Sequence, residues 1–171
     1  MDVSQLTDRL VAGAYQGQIC GAHVSGKSTL LMELQQELAR RGIPVSRVDR
    51  PESQRAMLTR RLWQARRARQ VVVVDGFERL RDGERAVVTG MARWWQSGLL
   101  VTCHRRGTLP LLWETEVSLP VATAVVRHLT QDDAAAWAVA SQQLETRLAA
   151  QRGDLRETLF ELYDVCQGLA I

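Results

Sequence analysis

GAHVSGKS, residues 21–28, is the stretch on which the reading of this chain turns. It satisfies G-x-x-x-x-G-K-[ST] at every fixed position, the pattern of a loop whose backbone N–H groups wrap a polyphosphate. Lys27 is the only lysine in 171 residues, and the other 21 cationic side chains are arginines. A coding bias toward arginine explains the 21. It does not explain why the exception falls where a compact, flexible ammonium has to reach the β- and γ-phosphates, a slot that a planar guanidinium fits poorly. The flanks have the order such a site needs. Gln18-Ile19-Cys20 is a short extended run, and Leu30, Leu31, Leu34 and Leu38 mark one stripe of a helix beginning at Lys27. Strand, glycine loop and helix N-terminus together bring backbone donors and the helix dipole to bear on one anion.

The expected phosphate cradle is therefore Gly21, Ala22, His23, Val24, Ser25 and Gly26, followed by Lys27, Ser28 and Thr29. Gly21 and Gly26 permit the tight turn. Lys27 neutralises phosphate charge, the Ser28 hydroxyl helps to hold Mg²⁺, and Thr29 lies beside it. His23 occupies a position that tolerates most residue types, so its side chain is assigned no role.

Working outward, the chain reads as one α/β domain, with helices expected over 2–13, 27–41, Pro51 to Arg69 and 83–96. In the last of these Val87, Met91, Trp94 and Trp95 are expected to face inward. Strands are expected at 17–20, 45–49, 71–74, 99–103 and 121–126, and two helices, 131–151 and 154–167, close the chain. Val71-Val72-Val73-Val74 is a continuous β-branched run, the mark of a strand covered on both faces. Strands alternating with helices predict a three-layer sandwich around a mostly parallel sheet. Residues 131–171 would form a small helical extension of that single domain.

Composition narrows the class. A net charge of +3 and 24% charged residues are ordinary for a globular protein. Cys20, Cys103 and Cys166 are isolated in sequence and form no C-x-x-C pair, which argues against a disulfide framework or a zinc site. No apolar run approaches the length of a membrane span and no stretch reads as a signal peptide, so the expectation is a reduced, cytoplasmic protein.

The second chemical feature is VVVVDGFERL, residues 71–80. A carboxylate at the carboxyl end of a buried parallel strand emerges where open α/β sheets bind ligands. Asp75 is thereby expected to hold Mg²⁺ opposite Ser28; the plainer alternative is an Asp-Gly turn. Glu78, three residues on, could polarise an attacking water or simply face solvent from the turn. The strand LLVTCHRR, residues 99–106, ends in polar side chains, among which Thr102 and His104 could touch a terminal phosphate or the water. Near the C-terminus, Gly153-Asp154-Leu155-Arg156 opens a helix that Asp154 can cap, with Glu157 at its third position. Arg156 then lies in the first turn, where the dipole disfavours a cation unless an anion is near. Asp154 and Glu157 could be that anion, and so could a nucleotide phosphate.

Taken together, GAHVSGKS, VVVVD, the polar end of strand 99–103 and G-D-L-R resemble the AAA+ superfamily of ATPases, of the additional-strand catalytic-glutamate class, over about residues 17–167. The resemblance implies ATP as ligand with Mg²⁺, and ATP hydrolysis. It also implies a strand order of 5-1-4-3-2 and assembly with itself or a protein partner. In its terms Asp75 belongs to the Walker B element, Thr102 or His104 is sensor 1, and Arg156 is sensor 2 on a helical lid. Two departures weaken the case for a motor and leave a slow switch open. Gly76 stands where the family commonly has its catalytic Glu, and only two helices follow residue 130 where a full lid has about four.

Two other readings stand beside this one. A small-molecule or nucleotide kinase would use Asp49-Arg50 toward an acceptor and Arg105 with Arg106 in a phosphate-closing segment. A nucleotide-bound scaffold would leave Glu78 without a catalytic role. A GTPase is disfavoured, because N-K-x-D needs a second lysine. The arginines at 60, 61, 66, 67 and 69 invite a nucleic-acid surface, yet they read as spread around their helix in a chain of modest charge, which argues against one. Strand order separates the two enzyme readings: in the ATPase the strand bearing Thr102 lies between those bearing Cys20 and Asp75.

Overall fold

The computed structural model describes residues 2–49 and 55–168. In chain order the elements are α1 (Val3–Ala12), β1 (Gln16–Gly21), α2 (Lys27–Arg40), β2 (Val45–Asp49), α3 (Arg55–Ala68) and β3 (Val71–Asp75). A 3-10 turn, Phe77–Arg79, leads to α4 (Asp82–Trp94), β4 (Gly98–Cys103), β5 (Leu111–Thr115), α5 (Leu119–Leu129), α6 (Ala134–Ala150) and α7 (Leu155–Gly168). Contacts divide the chain into two compact units, residues 1–21 with 27–114, and residues 22–26 with 115–171.

In the first unit the strands run in the order β2-β3-β4-β1-β5, which is the expected 5-1-4-3-2. The pairs β2–β3, β3–β4 and β4–β1 are parallel. The strand carrying Thr102 thus lies between those carrying Cys20 and Asp75. Period-two alternation divides the valine run between two layers. Val72 and Val74 join Leu99 and Val101 against Leu58 and Leu62 of α3 and Val88 and Ala92 of α4. Val71 and Val73 face the opposite side, with Ile19 and Leu100, against Leu10 of α1 and Leu31, Leu34 and Leu38 of α2. Each fully buried leucine or valine of this kind contributes about 1.5–3 kcal/mol of apolar burial. The result is a sheet with helices on both faces, its central strands covered twice.

The second unit has its own core, where Ala122 and Val126 of α5 meet Ala140, Leu144 and Leu148 of α6 and Leu155 and Leu162 of α7. Asp133 caps α6 through the Ala136 N–H at 2.9 Å. Asp154 accepts from the N–H groups of Arg156 at 3.1 Å and Glu157 at 3.3 Å, as an N-cap should.

Three sequence expectations are corrected here. Residues 121–126 are helical, inside α5, and the fifth strand is Leu111–Thr115. Pro120 stands in the first turn of α5, where its missing N–H costs nothing. Ala122 and Val126, one helical turn apart, then bury together, so packing overrides the β propensity of the valines. In consequence three helices, not two, close the described chain. The buried side of α4 is Val88, Thr89 and Ala92, one residue round from the expected face, and Trp94 is 85% exposed. Trp95 packs against the core instead. The expected helix start at Pro51, and Arg50, lie outside the described residues. Among the described residues no helix is long and apolar enough to cross a membrane.

Candidate functional site

The parallel register aligns the carboxyl ends of four strands. Cys20 lies opposite Cys103, and Asp49 opposite Asp75, so β1, β4, β3 and β2 end on one edge of the sheet. That edge collects Lys27, Ser28, Asp75, Glu78, Thr102 and His104, all within the first unit.

α2 begins at Lys27, directly after the loop, and its first N–H groups point back toward the loop. Gly26 takes φ 87°, a left-handed conformation open to glycine at little cost. Val24 holds φ 61°, which strains a β-branched side chain. Residues 22–26 group with the second unit, where the Ser25 hydroxyl meets the Ala22 carbonyl and the Thr115 hydroxyl. His23 and Val24 are exposed, as are Ser28 and Thr29, whereas Lys27 is buried and donates from Nζ to the Gly21 carbonyl at 2.8 Å.

Asp75 is held from three sides on this edge. Its Oδ1 accepts from Thr102 Oγ1 at 2.6 Å and from Ser28 Oγ at 3.4 Å, while Oδ2 lies 3.5 Å from Arg47 Nη2. Thr102 Oγ1 also accepts from the Gly76 N–H at 2.8 Å, which ties β4 to the turn after β3. Gly76 at φ 82° swings the chain into the 3-10 turn, and a Cβ there would meet Arg79 at 3.3 Å. Thr102 therefore fixes Asp75 and the turn. Arg47, at 2.6 Å from Asp49 as well, is a cation at this edge that motif reading did not single out. Only the β2–β3 pairing brings it there.

Glu78 and His104 are joined. Glu78 Oε1 lies 2.9 Å from His104 Nε2, and His104 Nδ1 lies 3.3 Å from the Gly21 carbonyl. A carbonyl only accepts, so Nδ1 is the donor in the contact with Gly21, which leaves Nε2 facing the Glu78 carboxyl. Glu78 Oε2 is buried with no hydrogen-bond partner among the described residues. The Gly21 carbonyl accepts from both Lys27 and His104, which links the loop lysine to Glu78 through one backbone oxygen. A cavity of about 540 Å³ opens beside this pair, lined in part by Phe77, Glu78, Arg85, Val101, His104 and Arg105.

The cysteines that looked isolated include a close pair. Cys20 Sγ and Cys103 Sγ are 3.0 Å apart across β1 and β4, both buried and not joined by a disulfide. Hydrogen bonding from Cys103 lowers the Cys20 thiol, whereas the same contact and burial push the Cys103 thiol well up. Their 83-residue separation hides the pair from any local spacing rule.

Arg156 is exposed on α7, in the second unit, with its guanidinium 5.7 Å from the Phe160 ring centroid. Asp154 receives the backbone at this helix start rather than the Arg156 side chain.

No protein-family model matches the chain. No curated protein matches it. Among solved structures it is similar to the replication initiator DnaA bound to AMPPCP and single-stranded DNA. That match has a TM-score of 0.50 and 13% identity, and covers 94% of this chain and 59% of that one. It is also similar to AMPPCP-bound DnaA from Aquifex aeolicus, with a TM-score of 0.45, 13% identity, and 76% and 49% of the two chains covered. A DNA replication initiation factor gives a TM-score of 0.47 at 12% identity, over 95% and 58%. The chain spans between half and three fifths of the length of these proteins. At 13% identity the first of these likenesses establishes fold, an α/β P-loop-like architecture.

Proposed function

We propose that this chain binds Mg·ATP at residues 21–29 and hydrolyses it slowly, as an ATP-dependent switch read by a protein partner or by further copies of itself. The observation that carries the reading is the convergence of Ser28 and Asp75 at 3.4 Å beside the buried Lys27. A hydroxyl and a carboxylate are hard oxygen donors of the kind Mg²⁺ takes when it keeps most of its waters and rides on nucleotide phosphates. Ser28 and Asp75 would hold it, and when bound it neutralises charge on the phosphate oxygens. The AMPPCP in the DnaA structure that also holds single-stranded DNA supports an adenine nucleotide as the ligand.

In this reading the chain's own groups divide the work. Loop N–H groups and the α2 N-terminus orient the polyphosphate, and Lys27 supplies positive charge at its end. Thr102 and Arg47 fix the Asp75 carboxylate. Glu78 accepts a proton from the attacking water, and His104 holds it until it does so. The strand order favours hydrolysis over kinase chemistry. A kinase is the second reading, because the cavity beside Glu78 is large enough for a small acceptor.

The test is phosphate release from Mg·ATP by the purified chain, beside Lys27→Ala and Glu78→Gln. Release without an added acceptor, lost in both variants, supports the ATPase. Tight ATP binding without release turns the assignment toward an acceptor-requiring kinase or a non-hydrolysing scaffold. Absence of ATP binding removes the proposal.

A further inference from the structure

The positive charge of this protein is concentrated on one helix. Residues 55–69, which comprise α3 and the residue after it, contain six arginines and no acid. With those six set aside, 16 basic residues face 19 acidic ones, a balance of −3 in a chain whose total is +3. The whole excess therefore rests on α3.

The structure also sorts these arginines, which looked evenly spread in sequence. Arg61 turns inward, donating to Ser46 Oγ at 2.8 Å and toward the Arg47 carbonyl at 3.4 Å. Arg60, Arg66 and Arg67 are exposed, and no ion pair among the described residues engages them. Arg60, Trp63 and Arg67 follow one stripe at i, i+3 and i+7, which spans about 10 Å along the axis at ~1.5 Å per residue. Trp63 is 40% exposed at the middle of that stripe. Arg66 and Arg67 place their guanidinium carbons 5.9 and 5.2 Å from its ring centroid, while Trp95 buttresses it edge-on at 5.4 Å.

We infer that the outward side of α3 binds single-stranded nucleic acid, with Arg60, Arg66 and Arg67 on phosphates and Trp63 against an unpaired base. A row of exposed guanidinium groups around a braced indole matches what such a strand offers, a phosphate track and accessible base faces. Duplex bases are already stacked and leave the indole nothing to cover. A membrane surface is a poorer fit, since a helix lying on lipid needs a free apolar face. The apolar side of α3, with Leu58, Leu62 and Ala65, is already covered by the sheet and α4.

The experiment is fluorescence anisotropy of a labelled oligothymidylate with the full chain, without nucleotide, over about 50–200 mM salt. Expected is saturable binding that weakens with salt. Arg66→Ala with Arg67→Ala should reduce the salt slope by about 0.7 per arginine removed. The pair replaced by lysine should keep the slope. Trp63→Ala should weaken binding about tenfold at unchanged slope, because it removes stacking and no charge. Arg40→Ala, exposed on α2, should change nothing. Circular dichroism and thermal melting confirm that each variant is folded. Absence of saturable binding at the lowest salt overturns the inference. So does an equal effect of Arg40→Ala, an equal affinity for the duplex of the same length, or a preference for phosphatidylserine vesicles or polyglutamate over the strand. Because no ATP is present and Lys27→Ala should bind the strand normally, this result stands or falls separately from the proposed nucleotide site.

Discussion

The sheet and the C-terminal helices hide apolar surface in different ways. In the sheet, successive residues of Val71–Val74 are buried against opposite helix layers, and Leu99, Leu100 and Val101 of β4 repeat the pattern. In α5, α6 and α7 the core is a stripe of alanines and leucines, and the outer faces leave Val121, Phe160 and Tyr163 more than half exposed. A strand covered on both faces has no side free to vary. The groups at its end, Asp75 and Thr102, are therefore held on a stiff base. A helix packed through one stripe has an outer face that can change at little cost.

The largest expected effect lies at the ligand edge of the sheet. Lys27→Ala should lower Mg·ATP turnover by about 10²–10³-fold, measured as phosphate release. Full activity in that variant would remove the edge from the chemistry. Next come matched truncations in the two cores. Leu31→Ala, fully buried on α2, should cost about 2–5 kcal/mol by urea unfolding, and Leu148→Ala, 7% exposed on α6, should fall at the low end of that range. Equal losses would erase the contrast between the two regions.

Thr102→Val should cost about 1–3 kcal/mol, because Asp75 and the Gly76 N–H both lose their shared partner. A neutral result would mean that water replaces the hydroxyl. On the helical side, Asp154→Ala should cost about 1 kcal/mol through the lost N-cap, seen as earlier melting of the helical signal. The smallest effect belongs to Trp94→Ala, expected within about 0.5 kcal/mol since the ring is 85% exposed.

The part of the candidate site that was legible in the sequence is the part written locally. Eight consecutive residues specify the loop, and four valines followed by Asp75 specify a buried strand with a carboxylate at its end. Strand order was anticipated through resemblance, which encodes topology that spacing alone cannot. The fifth strand failed because Val121–Val126 is β-branched yet lies beyond Pro120, in a segment whose partners come from α6 and α7. Leu111–Thr115 was missed because an edge strand alternates weakly. Only Leu112 is buried there, and Trp113 is 37% exposed.

The sequence by itself determined which residue types stand in the candidate loop, because that loop is contiguous and its turn follows from glycines and a helix start. The tertiary structure decided which distant groups meet. Glu78 with His104, Cys20 with Cys103, Arg47 with Asp75, and Arg61 turned away from its neighbours on α3 all depend on strand pairing and helix rotation. Those are settled by burial over the whole unit, where the energy is collective and no short stretch of chain records it.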